Sequence, residues 1–162
     1  MRIRKKASIA LATCGVGYLP LAPGTWGSIL AVLGYLGYYQ LLQYLEIAEK
    51  HWMPLTAALL IIFCIIGIKA SKIAADAMGE KDPGRIVVDE VMGQWITFAF
   101  IPFTTNWKLI LGGFLLFRLF DIWKPFPIDA TQELGDGIGI CADDIVAGVY
   151  AGIVLSVIAL IL

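Results

Sequence analysis

The stretch FLLFRLFDIWKPFP, residues 114–127, places Arg118, Asp121 and Lys124 inside a run that is otherwise apolar enough for a membrane interior. Arg118 and Asp121 are three positions apart and so share one face of a helix. Lys124 continues that face one turn later, just before Pro125 discourages further helix. Charges in such a setting need partners. Three other segments carry polar groups at the margin of an apolar run, around Thr25, at Asp89-Glu90 and at Asp143-Asp144. The four edges are expected to meet.

Composition supports a membrane setting. Of 162 residues, 59% are hydrophobic and 15% charged, with a mean hydropathy of +0.82, against about a quarter charged in an ordinary soluble domain. The chain reads as an integral membrane protein. A net charge of −1 provides no field to attract nucleic acid, and there is no basic stripe interleaved with aromatics. Cys14, Cys64 and Cys141 are odd in number and widely spaced, so neither a disulfide framework nor a zinc site follows. The only histidine, His51, lies among Glu46, Glu49 and Lys50 and reads as a solvated connector residue.

Residues 8–22 follow a basic start and run into Gly15, Gly17 and Pro20 without a clean signal-cleavage site. They read as an interfacial or re-entrant segment. Five apolar runs follow, at 23–45, 52–68, 86–103, 107–123 and 145–162. Each is about 17 to 23 residues, where about 20 cross a bilayer core as helix. Residues 69–85, with the turn signal Asp82-Pro83-Gly84, are expected to form a solvated connector. Residues 124–142, with Gly135, Gly137 and Gly139, are expected to form a loop. The fold class is therefore all-α, a polytopic membrane bundle of about five hydrophobic helices plus the N-terminal segment, in one domain over 1–162. Gly148 and Gly152 have the small-xxx-small spacing that lets helices approach closely, within one chain or in a homo-oligomer.

Basic residues orient the bundle. With the N-terminus inside, ten of them (Arg2, Arg4, Lys5, Lys6, Lys69, Lys72, Lys81, Arg85, Arg118, Lys124) fall on the cytoplasmic side, against Lys50 and Lys108 outside. Five crossings then leave the C-terminus outside. The same topology puts Thr25, Asp89-Glu90, Arg118-Asp121-Lys124 and Asp143-Asp144 all at cytoplasmic ends.

Carboxylates gathered there would repel one another unless a cation neutralised them. Asp89, Glu90, Asp143 and Asp144 are the candidate metal ligands, and an all-oxygen donor set favours Mg2+ over zinc. Adjacent helical positions diverge by about 100°, so one member of each pair is expected to reach the ion. Glu90, which shares its face with Gln94, is favoured over Asp89. Arg118 and Lys124 suit phosphate oxygens, the first by its planar fork and the second as a point charge. Thr25 and Ser28, with the amides of a helix start, are candidate substrate contacts. Asp121 lies between the two cations and is the candidate catalytic carboxylate, either attacking phosphorus or orienting water. Each motif alone also has a structural reading, as helix-start acids, an i, i+3 pair or a proline-led helix start. Their placement on one side is what points to chemistry.

The blocks LPLAPGTWGS (19–28), VVDEVMGQW (87–95), FRLFDIWKPFPI (117–128) and GIGICADDIVAG (137–148) resemble, in order and spacing, the phosphatidylglycerophosphatase A family. The resemblance implies a magnesium-dependent lipid phosphatase of a bacterial inner membrane, with its active site facing the cytoplasm. Its substrate would be phosphatidylglycerophosphate. Asp136 departs from the pattern, which would place a small or apolar residue there, and reads as an extra ligand or a solvated turn residue. Two other classes compete with this reading. A cation transporter or channel would need polar groups throughout the membrane depth, and a structural subunit would have no use for the clustered charges.

Overall fold

A computed structural model describes residues 2–161, without the side chains of Arg2 and Asp136. The reading of Asp136 therefore lies outside the described residues. Helices α1 (Arg2–Thr13), α2 (Pro23–Tyr44), α3 (Trp52–Met78), α4 (Val88–Phe98), α5 (Trp107–Trp123), α6 (Ile128–Thr131) and α7 (Asp136–Ala159) follow one another, with short 3-10 turns at Val16–Tyr18 and Glu49–His51. No strand occurs among the described residues.

Local chemistry sets the ends of these helices. Pro23 opens α2 at a position where its missing N–H costs nothing. Gly79, at φ 73°, closes α3 by donating its amide to the Ala75 carbonyl. The Asn106 side chain accepts the Lys108 amide at 3.1 Å and caps α5. At the other end of α5, Lys124 adopts a left-handed conformation (φ 47°, ψ 54°), and Pro125 then prevents continuation.

Helix α4 is the hub and touches α1, α2, α3, α5 and α7. Its crossing with α7 is backbone on backbone. A Cβ on Gly148 would strike the Gly93 carbonyl, and one on Gly93 would strike the Asp144 carbonyl and the Phe117 ring. Thr97 reaches across the same crossing, its hydroxyl lying 3.0 Å from the Gly93 carbonyl and 3.3 Å from that of Gly148. The Gly148 and Gly152 stripe is thus occupied within the chain, Gly152 lying against Phe100.

Three boundaries differ from the sequence reading. Helix α3 continues to Met78, so residues 69–78 are not a solvated connector. Ala70, Ser71, Ala74 and Ala75 are buried there, and α1 packs on this helix. Gly137 and Gly139 belong to α7 rather than to a loop. A Cβ on Gly137 would meet the Ile68 carbonyl, so this glycine serves close helix packing.

The third difference concerns residues 86–103. Only 11 of them are helical, about 16 Å of rise against roughly 30 Å of hydrocarbon. Past Phe98 the chain is irregular as far as Asn106, and the backbone of Thr104 within it is held by Tyr35. The Tyr35 hydroxyl accepts the Thr104 amide at 2.9 Å and donates to the Thr104 carbonyl at 3.3 Å. Phe103 stacks on Tyr35 at 5.5 Å and meets Trp52 edge-on at 5.6 Å.

By length and apolarity, two described helices qualify to cross a membrane, Glu49–Met78 and Gly137–Ala159. The first has little of its apolar surface covered, and Leu59, Ile62, Ile65 and Ile66 are about half exposed. So large an apolar face marks contact with lipid or another protein.

Over-packing a core typically costs about 1–3 kcal/mol, and a backbone neighbour has the least room to yield. Gly148→Leu should therefore lower the melting temperature in detergent by about 5–10 °C. Gly37→Leu, at a position with nothing within 4 Å of a Cβ, should not. Equal melting temperatures for the two variants would show that the α4–α7 crossing has slack.

Candidate active site

Four chain segments meet at one end of the bundle: the start of α2, the start of α4, the end of α5 and the first turns of α7. Gly24 makes the first meeting close, since a Cβ there would collide with Glu90 Oε1 and lie 3.0 Å from Arg118 Nη1. Arg118 in turn donates to Asp121 Oδ2 at 2.5 Å, both side chains being mostly buried. Asp121 of α5 and Asp144 of α7 are close enough to influence each other electrostatically.

Asp89, Glu90 and Asp144 each place a carboxylate oxygen within 4.8 Å of the others. At an effective dielectric near 20, two full charges at that separation repel by about 3 kcal/mol. Glu90 Oε2 and Asp144 Oδ1 are moreover buried without a hydrogen-bond partner among the described residues. Among the described residues, Asp89, Glu90, Asp121, Asp143 and Asp144 gather here with Arg118 and Lys124. Orphaned, closely spaced, all-oxygen donors fit a hard divalent cation.

The expectation that only one of two adjacent carboxylates would reach such a cluster does not hold for Asp89 and Glu90. Both lie in the first turn of α4, where they complement the helix dipole. Asp89 Oδ1 accepts the Glu90 amide at 3.1 Å, which turns the shorter side chain back toward its neighbour. The other pair does divide. Asp144 joins the cluster, whereas Asp143 Oδ2 accepts Lys124 Nζ at 2.5 Å and Gln132 Nε2 at 3.0 Å. Burial alone would pull the Lys124 ammonium down, but its bond to Asp143 and the charges of Asp143, Asp144 and Asp121 push it above the usual lysine value.

The start of α2 differs from its sequence reading. Ser28 is fully buried and its hydroxyl donates to the Gly24 carbonyl at 3.0 Å, so it faces the helix rather than a substrate. The amides of Thr25 and Trp26 are bonded to the Ala22 carbonyl. Thr25, next to Gly24, is half-buried.

Of three further polar side chains near the cluster, the sequence reading gave Gln132 and Asp82 no site role and used Gln94 only as the residue that shares a face with Glu90. Gln132 supports Asp143 from the 124–135 segment, a contact with no local spacing to announce it. Gln94, one turn below Glu90, is fully buried with neither amide atom partnered among the described residues. Its i, i+4 relation to Glu90 was the available signal. Asp82 approaches from the loop after α3; burial and then Asp143 push its acid above the ordinary aspartate range, while Lys124 and Lys81 draw it back.

The Lys124–Asp143 pair yields a double-mutant test. Lys124→Met leaves Asp143 without its cation and should cost about 1–3 kcal/mol of stability, read as a lower melting temperature in detergent. Adding Asp143→Asn should restore part of that loss, because an amide needs no cation. Strictly additive losses would show that the two side chains do not depend on each other.

Comparison with known proteins gives a consistent result. A family described as Phosphatidylglycerophosphatase A matches residues 9–159. A phosphatidylglycerophosphatase A of Haemophilus influenzae is 43% identical over 143 residues, covering 87% of this chain and 81% of the relative. One of Escherichia coli is 37% identical over 142 residues, covering 87% and 76%. A protein of Bacteroides thetaiotaomicron, named provisionally as a phosphatidylinositol-3-phosphatase, is 38% identical over 144 residues, covering 88% and 87%. No solved structure matches.

Proposed function

The chain belongs to the phosphatidylglycerophosphatase A family, and from that premise we propose that it uses water to split the terminal phosphomonoester of phosphatidylglycerophosphate, giving phosphatidylglycerol and inorganic phosphate. The observation that carries the reading is the meeting of Arg118 and Asp121 with the under-bonded carboxylates Asp89, Glu90 and Asp144. Neither a transporter nor a structural subunit accounts for that grouping at one end of the bundle.

The proposed setting is a bacterial cytoplasmic membrane crossed five times, by α2, α3, α4 with the irregular segment after it, α5 and α7. The site then faces the cytoplasm. Support comes from the bias of basic residues toward the site end and from the exposed apolar face of α3. The phosphate head would enter from the headgroup layer while the acyl chains remain at membrane depth.

The proposed cofactor is Mg2+, held by Asp89, Glu90 and Asp144 with Asp121 adjacent. When bound, it would offset the charge of the phosphate dianion and polarise its oxygens. The protein's own groups do the rest. Arg118 presents its guanidinium to non-bridging oxygens while steadying Asp121, and Lys124 adds a second positive charge from the αL position that ends α5. Such fixed charges contribute most where water is scarce. Asp121 either attacks phosphorus, displacing the lipid oxygen and leaving an aspartyl-phosphate for water to cleave, or holds the attacking water directly. Asp143 keeps Lys124 in place. The name of the Bacteroides relative raises a second lipid phosphomonoester; side-by-side assays should favour phosphatidylglycerophosphate over phosphatidylinositol 3-phosphate.

Asp121→Asn nearly preserves volume and removes the charge, so turnover should fall at least about a hundredfold while the protein remains folded in detergent. Near-normal activity would remove Asp121 from the mechanism. Hydroxylamine trapping during turnover then separates the routes, because only the covalent route leaves an acyl-phosphate on Asp121 to be captured as a hydroxamate. Chelation should abolish activity, Mg2+ should restore it, and Glu90→Gln should raise the Mg2+ concentration required. Tags at the N-terminus and in the loop at residues 79–87 should be accessible from the cytoplasm and a C-terminal tag from outside; matching sides for the two termini would overturn the five-crossing topology.

A further inference from the structure

Helices α2 and α3 each pack on α4 but scarcely on one another. The slot left between them has a volume of about 420 Å³, and Leu30, Gly34, Tyr38, Leu59, Val91 and Trp95 help line it. We infer that this slot holds one acyl chain of the lipid substrate, an inference that rests on the lipid-phosphatase reading.

Position is the first argument. Val91 directly follows Glu90, so the upper end of the slot adjoins the carboxylate cluster on the same helix. From Leu30 to Tyr38 the wall descends along α2 by about 12 Å. A lipid whose terminal phosphate lies at the cluster therefore has its glycerol backbone and chains above this opening.

The chemistry of the wall is the second argument. It is apolar apart from the Tyr38 hydroxyl, which meets the Thr56 hydroxyl at 3.3 Å and closes the deep end, and the Trp95 indole, which lies against Tyr38 at 5.6 Å. A water-soluble ligand would lose its hydration without gaining partners there. An alkyl chain has no hydration to lose. The volume falls within the range of about 300–1,000 Å³ typical of ligand pockets. Leu59 on the α3 wall is 47% exposed, as are neighbouring apolar residues on that helix, so the slot opens sideways toward lipid.

Gly34 gives access to a test. A Cβ there would lie 3.6 Å from the Trp95 ring, an ordinary contact, so alanine fits. A leucine side chain would extend into the slot, and either residue favours the helix more than glycine does. The full-length protein, its Gly34→Ala, Gly34→Leu and Leu59→Trp variants would be assayed in detergent on dioleoyl and dihexanoyl phosphatidylglycerophosphate. With dioleoyl lipid, kcat/KM should fall about tenfold or more in Gly34→Leu and Leu59→Trp. With dihexanoyl lipid it should stay within about twofold of wild type, and Gly34→Ala should match wild type on both. Native mass spectrometry should show dioleoyl lipid retained by wild type and lost from Gly34→Leu. Equal losses on the two lipids, or no loss on either, would overturn the assignment, the latter marking a slot filled by bulk lipid alone. Wild-type inactivity toward both lipids would instead remove the phosphatase reading, and the assigned occupant with it.

Discussion

The structure depends on one close contact, the crossing of α4 and α7 at Gly93 and Gly148. Two missing side chains set the separation of these helices, because each glycine Cα faces backbone of the other element. Glu90 lies one turn before Gly93, and Asp144 one turn before Gly148. Once the backbones touch, the two carboxylates are carried into the same small volume. Between helices in lipid there is little hydrophobic gain to hold them, so close van der Waals packing of this kind becomes the main attraction. The same contact thus supplies both cohesion and the geometry of the cluster.

Helical class and the convergence of Arg118, Asp89-Glu90 and Asp144 were legible because polar residues in apolar runs are conspicuous and few. What escaped the sequence involved contacts distant along the chain. Gly137 reads as a loop residue until the Ile68 carbonyl is found against it. Residues 86–103 read as one helix because hydropathy does not register that the helix stops at Phe98 and that the Tyr35 hydroxyl, distant along the chain, pairs with the Thr104 backbone. Ser28 has the residue type of a phosphate contact, yet its hydroxyl bonds to its own helix. Period and composition describe which surface a residue favours. They do not describe which neighbour fills it.

Adjacent aspartates acquire different tasks for an electrostatic reason. In a weakly polarisable setting, two neighbouring charges persist only with separate compensation. Asp143 has its own, in Lys124 and Gln132. Lys124 bonds Asp143 rather than Asp144, whose Oδ1 lies buried without a hydrogen-bond partner among the described residues. The 124–135 segment, by holding Asp143 away, keeps the cluster from becoming still more negative.

The aromatic group at the opposite end of α4 has a further consequence. Tyr35, Phe98, Phe103, Trp52 and Trp95 lie beyond the carboxylates, and the void among them measures about 10 Å³, at the lower limit for a single water. A nest of acidic groups at one face of a bilayer is half of an ion pathway. The packed rings withhold the other half, since the space among them is too small for a chain of waters. A bacterial membrane stores energy as an ion gradient, and an enzyme that carries charge into it must not become a leak. In a membrane, such a packed layer would let the protein keep its charged site without opening a path for ions.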